Sequence, residues 1–135
     1  MALRVLIVED NLITREMLKE MLSILGHEAV GEAEDLQGAL AAYQQHQPDA
    51  VTVDLSLPRE DGLTILKGLR RAHPDAKVVI ISGNSQEGIR EAALQAGAFD
   101  LLAKPIELDT LRTCVERITA HGNDLRRPEG NPPAR

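Results

Sequence analysis

The run Val78-Val79-Ile80-Ile81, closed by Ser82-Gly83-Asn84, decides the architecture. Four β-branched residues without polar alternation fit a strand covered on both faces, as in a parallel sheet with helices above and below. Working outward, Leu3–Val8 is a second apolar strand, interrupted only by Arg4, and Ala50–Val53 is a third. His27–Glu34 alternates weakly about Ala29 and Val30, and Ala98–Ala103 supplies the last strand. Segments of helical period lie between them. Ile13, Met17, Met21 and Leu25 share one stripe over residues 12–25, widened by Leu18 and Leu22, which predicts a core-facing helix with Met17 and Met21 inside. Leu36, Ala39, Leu40 and Tyr43 mark a second helix, ending before Pro48. Leu63, Leu66 and Leu69 mark a third, entered at Asp61-Gly62 and stopped by Pro74. Asn84 to Glu87 reads as a capping box for a fourth, with Ile89, Ala93 and Ala96, closed by Gly97. Leu108, Leu111, Val115 and Ile118 give a fifth, ended by Gly122. Five such repeats make an α/β, (βα)5 three-layer sandwich.

The composition narrows the function. With 135 residues, 43% of them hydrophobic, the chain holds one domain, expected over residues 1–121, followed by a disordered Gly/Pro-rich tail at 122–135. Fifteen Lys+Arg against 21 Asp+Glu give a net charge of −6, which disfavours a basic nucleic-acid groove. Tyr43 and Phe99 alone make no stacking platform for single strands, so no direct nucleic-acid partner is expected. Cys114 has no partner for an internal disulfide, and no apolar run reaches membrane-spanning length. A cytoplasmic protein with no membrane partner is the expectation.

In an open parallel sheet, ligands bind beyond the carboxyl ends of the strands, where the strand order reverses. Strand one ends in Glu9-Asp10, strand three in Asp54, strand four in Ser82-Gly83-Asn84 and strand five in Lys104-Pro105. Four strand ends thus bring three carboxylates, a hydroxyl and an ammonium to one rim. Crowded carboxylates need a cation among them. Mg²⁺ suits a site of one or two carboxylates with waters and a phosphate. An aspartate so placed can act as a nucleophile towards a phosphoryl group, and the metal, ammonium and hydroxyl can neutralise the equatorial oxygens.

These motifs, Val8-Glu9-Asp10-Asn11, Val53-Asp54-Leu55-Ser56-Leu57-Pro58 with Asp61-Gly62, Ser82-Gly83, and Gly97-Ala98 leading to Lys104-Pro105, resemble the receiver domain of bacterial two-component response regulators. The resemblance covers residues 3 to about 120 and implies the flavodoxin-like strand order 2-1-3-4-5. By that resemblance Asp54 is the phosphoacceptor, and Asp10, Asp54 and the backbone carbonyl of Ser56 bind Mg²⁺, with Glu9 assisting through water. Lys104 pairs with the phosphoryl oxygens, and its bond to Pro105 is cis. Ser82 moves in to hydrogen-bond the phosphoryl group, Gly83 leaves room for a backbone N–H to do the same, and Ser56 and Asn84 sit where relatives tune dephosphorylation.

The implied partners are a sensor histidine kinase or phosphotransfer protein, and a downstream protein on the face of helix four, strand five and helix five. Relatives usually carry Tyr or Phe three residues before the lysine, where this chain has Leu101; strand alternation puts Phe99 on the same side as Leu101. Two other functions compete. A degenerate receiver binds partners without phosphorylation, but such chains usually lose an acidic residue or the lysine, and here Glu9, Asp10, Asp54 and Lys104 are all present. An aspartate-nucleophile phosphatase generally has a second acid two residues after the nucleophile, where this chain has Ser56. His27, His46, His73 and His121 fall at or just beyond predicted helix C-termini, where the helix dipole favours an imidazole, and Cys114 falls on a core stripe; all five read as structural.

Overall fold

The computed structural model describes residues 2–58, 60–83 and 87–125. Five strands and five helices alternate: β1 (Arg4–Val8), α1 (Leu12–Ile24), β2 (Glu28–Ala33), α2 (Leu36–His46), β3 (Ala50–Asp54), α3 (Gly62–Ala72), β4 (Val78–Ser82), α4 (Glu87–Gln95), β5 (Asp100–Ala103) and α5 (Leu108–Leu125). The strands form one parallel sheet in the order β2-β1-β3-β4-β5. The chain leaves β1 towards β2 and returns to the other side of β1 for β3. The order therefore reverses between β1 and β3, and the crevice beyond their carboxyl ends is the binding position of such sheets.

Alternation along each strand sorts the core into two layers. Leu6, Val8, Val51, Val53, Val78, Ile80 and Leu101 pack on one face against Ala39 and Tyr43 of α2, Ile65, Leu66 and Leu69 of α3, and Ala93 of α4. Val5, Ile7, Val79, Ile81 and Leu102 pack on the other against Leu18 and Leu22 of α1 and Leu111, Cys114, Val115 and Ile118 of α5. All five residues of β3 and all five of β4 are buried, as both-face coverage requires. Cys114 lies in this core, and burial pushes its thiol up to about 12, so it stays a neutral packing group.

Two apolar assignments are corrected. On α1 the buried residues are Leu18 and Leu22, whereas Ile13 is 79% exposed and Met17 39% exposed. The sheet covers only one edge of the apolar stripe, which leaves the Ile13–Met17 edge facing solvent near the helix N-terminus. Phe99 precedes β5, where alternation does not yet hold. Its ring packs with the α1/α5 layer under the Arg117 guanidinium (4.9 Å from the ring centroid), on the face opposite Leu101.

The helix α5 runs on to Leu125, past Gly122. Asn84, with the capping box expected there, and residues 126–135 of the expected disordered tail lie outside the described residues. Two of the histidines have structural partners. His27 Nδ1 accepts the Leu3 N–H at 2.9 Å, and burial lowers its pKa. His73 stacks on Tyr43 with ring centroids 4.1 Å apart.

Candidate functional site

The site is assembled by strand register. Val8 pairs with Val53, Asp54 with Ile81, and Ser82 with Ala103, so the ends of β1, β3, β4 and β5 stand side by side. Two backbone bonds carry the ladder past the strands: the Leu55 N–H donates to the Ile81 carbonyl at 2.8 Å, and the Lys104 N–H to the Ser82 carbonyl at 2.9 Å. The Lys104–Pro105 peptide is cis.

The loop after Asp54 is closed by Asp61-Gly62. Asp61 caps α3 by accepting the Leu63 N–H at 2.9 Å, and Ser56 bridges to Asp61. The Gly62 N–H donates to the Leu55 carbonyl at 3.0 Å. A Cβ at Gly62 would lie 2.6 Å from the Asp54 carbonyl oxygen, so only glycine lets α3 begin this close to the end of β3. Asp54 is thereby fixed at the rim with its carboxylate 5% exposed.

Around it stand the other groups anticipated from the sequence. One carboxylate oxygen from each of Glu9, Asp10 and Asp54 lies within 4.8 Å of the others, with Glu9 and Asp54 buried and Asp10 exposed. Lys104 Nζ is 3.2 Å from Asp54 Oδ2 and 3.9 Å from Glu9 Oε1. The second Asp54 oxygen, Oδ1, accepts the Ser56 N–H at 3.1 Å. The Ser82 side chain is buried at the end of β4, and Gly83 is exposed, where a Cβ would meet nothing within 4 Å among the described residues. Leu101 is buried in the α2/α3/α4 layer, one strand residue beyond Asp100.

The electrostatics match a cation site. Glu9 Oε2 accepts the Asn11 N–H at 3.1 Å, but among the described residues Glu9 Oε1 is buried with no hydrogen-bond partner. An oxygen in that condition costs energy unless something positive meets it. Burial above all lifts the Glu9 carboxyl from 4.5 to about 7; the Asn11 N–H opposes the rise, the Asp54 charge adds to it, and Lys104 opposes it. Among the described residues Lys104 is the one cation paired with Glu9 and Asp54, a single positive charge beside three carboxylates. A hard divalent ion on oxygen ligands fits the donor set.

Arg15 was not anticipated. One turn into α1, its Nη1 donates to the Glu9 carbonyl at 3.1 Å. Its guanidinium also lies 3.4 Å from Glu32 and 3.6 Å from Glu34 of the β2 side, and its own side chain is only 15% exposed. Lys19 shares Glu32 at 2.8 Å, which accounts for the lowered carboxyl of Glu32 and the raised ammonium of Lys19. Arg15 therefore ties the backbone of the acidic pair to α1 and to the sheet edge. Its sequence signal is faint: an arginine one turn after Asn11, beside two glutamates that strand two sends to the same end of the sheet. Arg15→Ala should destabilise the chain by about 1.5–3 kcal/mol in urea titration, the range for losing a charged hydrogen bond. An unchanged midpoint would show that the guanidinium holds nothing.

Residues 5–116 match the response regulator receiver domain family. Chemotaxis protein CheY of Bacillus subtilis is 37% identical over 117 residues, covering 87% of this chain and 98% of that protein. Among solved structures, a CheX–CheY–BeF3–Mg complex from Borrelia burgdorferi aligns with TM-score 0.81 and 28% identity, covering 87% of this chain and 89% of that one. A putative response regulator from Chloroflexus aurantiacus aligns with TM-score 0.81 and 31% identity, covering 89% and 99%. With its strand order, its acidic rim and these relatives, the chain belongs to the response regulator receiver family of two-component signalling, in a CheY-like form.

Proposed function

We propose that Asp54 accepts a phosphoryl group in an Mg²⁺-dependent reaction and that the modified site resets a partner-binding surface. One observation carries this reading: a buried carboxylate at a strand end, with two further carboxylates within 4.8 Å and an ammonium at 3.2 Å. Asp10, Asp54, the Ser56 carbonyl and, through water, Glu9 would hold the ion. When bound, Mg²⁺ neutralises phosphoryl oxygens and orients the donor.

The chain's own groups do the rest. An Asp54 carboxylate oxygen attacks phosphorus in line, forming an acyl phosphate, while the bond from phosphorus to the donor atom breaks and its electron pair leaves with that atom. Lys104 lies at the same carboxylate and balances the added charge. Ser82 offers a hydroxyl from the end of β4, and Gly83 leaves the approach open for a backbone N–H. By the family resemblance, Ser56 and Asn84 would set how fast water removes the group. Hydrolysis of this acyl phosphate is the only turnover the reading requires.

A protein donor needs a surface beside Asp54. Leu12, Ile13 and Met17 are exposed on α1, and Met17 lines a cavity of about 340 Å³ with Thr14, Lys104, Pro105 and Ile106. This apolar edge flanking the lysine suits a helical kinase or phosphotransfer protein. Such a donor places the chain in the cytoplasm; among the described residues no helix is long and apolar enough to cross a membrane.

The output face is that of α4, β5 and α5. There Asp100, buried in β5, binds Arg90 of α4 at 3.2 Å and Arg117 of α5 at 2.8 Å. Arg90 Nη1 also donates to the Leu101 carbonyl at 3.1 Å, and Asp100 Oδ1 accepts the Leu101 N–H at 2.7 Å. A shift of β5 towards a modified Asp54 would therefore be passed to both helices.

Addition of beryllofluoride, a phosphoryl mimic, with Mg²⁺ is expected to shift the amide resonances of residues 54–56, 82–83 and 101–104 together with those of α4. Omission of either component should abolish the response. A spectrum indifferent to the pair would overturn the proposal and leave a receiver that binds partners without phosphorylation.

A further inference from the structure

The amino ends of the strands, at the pole opposite Asp54, hold a feature the phosphoacceptor chemistry does not use. Lys67, Arg70 and Arg71 stand at i, i+3 and i+4 on α3 and so share one face of its last turns. Arg70 Nη1 is anchored on the Ala76 carbonyl at 3.1 Å, which fixes the guanidinium over the start of β4. Lys77, only 9% exposed, completes the group with its Nζ donating to the Asp75 carbonyl at 3.3 Å.

These cations line two adjoining cavities. One, of about 460 Å³, takes in Lys67, Arg70 and Arg71; the other, of about 410 Å³, takes in Arg70, Lys77 and the apolar wall of Ala98 and Phe99. Arg70, Pro74 and Gly97 border both. Gly97 has φ +106°, and a Cβ there would lie 2.9 Å from Arg70 Nε, so the glycine keeps the guanidinium uncovered on that side.

Four cations and one lining carboxylate, Asp75, stand together on a chain whose net charge is −6. The carboxyl end of α3 carries about half a negative charge, which does not account for Lys67, Arg70 and Arg71 together. Each is an open surface groove whose volume falls in the range of small-ligand sites. Guanidinium forks and an ammonium around one cavity are the donor set for phosphate oxygens, and the second cavity offers an apolar wall.

We propose that this groove binds a nucleoside diphosphate or triphosphate, with the phosphates on Lys67, Arg70 and Arg71 and the nucleoside against Ala98 and Phe99. The site is independent of Asp54. A small ligand is favoured over a nucleic acid because the rest of the chain is acidic and repels an extended polyanion.

The test is an amide-resonance titration of the full chain with ADP, GDP, inorganic pyrophosphate and sulfate, at low salt with EDTA present to exclude metal. ADP or GDP is expected to shift residues 67–77 and 95–99 saturably, more tightly than pyrophosphate, with sulfate weakest. Lys67→Gln and Arg71→Gln, both on exposed side chains, should each weaken ADP about tenfold. Asp54→Asn should bind ADP as the wild type does, which separates this groove from the phosphoacceptor site. No saturable response, or one that survives the Lys67→Gln, Arg71→Gln double substitution, would overturn the proposal. Pyrophosphate binding as tightly as ADP would overturn the placement of the nucleoside.

Discussion

In metal-free buffer at about pH 8, Glu9→Gln should be more stable than the wild type by about 3 kcal/mol, and near pH 4.5 the difference should vanish. The Glu9 carboxyl is raised from 4.5 to about 7, mainly by burial. Between those values the folded chain holds a proton that the unfolded chain has released. Wild-type stability therefore falls as the pH rises through this window and levels off above about 7. Glutamine keeps an oxygen for the Asn11 N–H and never acquires the buried charge. Chemical denaturation of both proteins across the pH range measures the difference directly. Two parallel stability curves would mean that Glu9 is comfortably ionised. Mg²⁺ should narrow the gap at pH 8, because it stabilises the wild type more than the variant.

Lys104→Ala should act in the opposite direction. It leaves buried Asp54 and Glu9 without the ammonium at 3.2 and 3.9 Å. Stripping one partner from a fully buried ion pair costs about 3–5 kcal/mol, and the one-third exposure of this lysine brings the expected loss nearer 2 kcal/mol. Mg²⁺ should restore a larger share of stability in this variant than in the wild type. With beryllofluoride present, residues near Asp54 should still respond while α4 and α5 stay silent. An unchanged denaturation midpoint without metal, or a wild-type response on α4 and α5, would remove Lys104 from the role assigned here.

The sheet and the rim were legible because each apolar strand is followed directly in the sequence by the polar residues that close it. Val78–Ile81 is apolar because helices cover both faces, and the polar residues that follow each strand have nowhere to go but the rim. What escaped was set by tertiary context. The Ile13–Met17 stripe obeys helical periodicity, yet an apolar stripe does not say which edge the sheet will cover. Phe99 sits one residue outside β5, and alternation is a property of the strand, not of the turn that feeds it. Arg15 reaches its targets, the Glu9 carbonyl and the β2 glutamates, only once β2 lies beside β1. The Arg90–Asp100–Arg117 cluster depends likewise on α4 and α5 flanking one strand.

The central claim is that Asp54 is the phosphoacceptor. Intact mass after incubation with acetyl phosphate and Mg²⁺, for the wild type and Asp54→Asn side by side, tests it most directly. A single added phosphoryl group on the wild type, absent from the variant and absent when EDTA replaces Mg²⁺, is the predicted result. A wild type that gains no phosphoryl group, or a variant that gains one equally well, would contradict it.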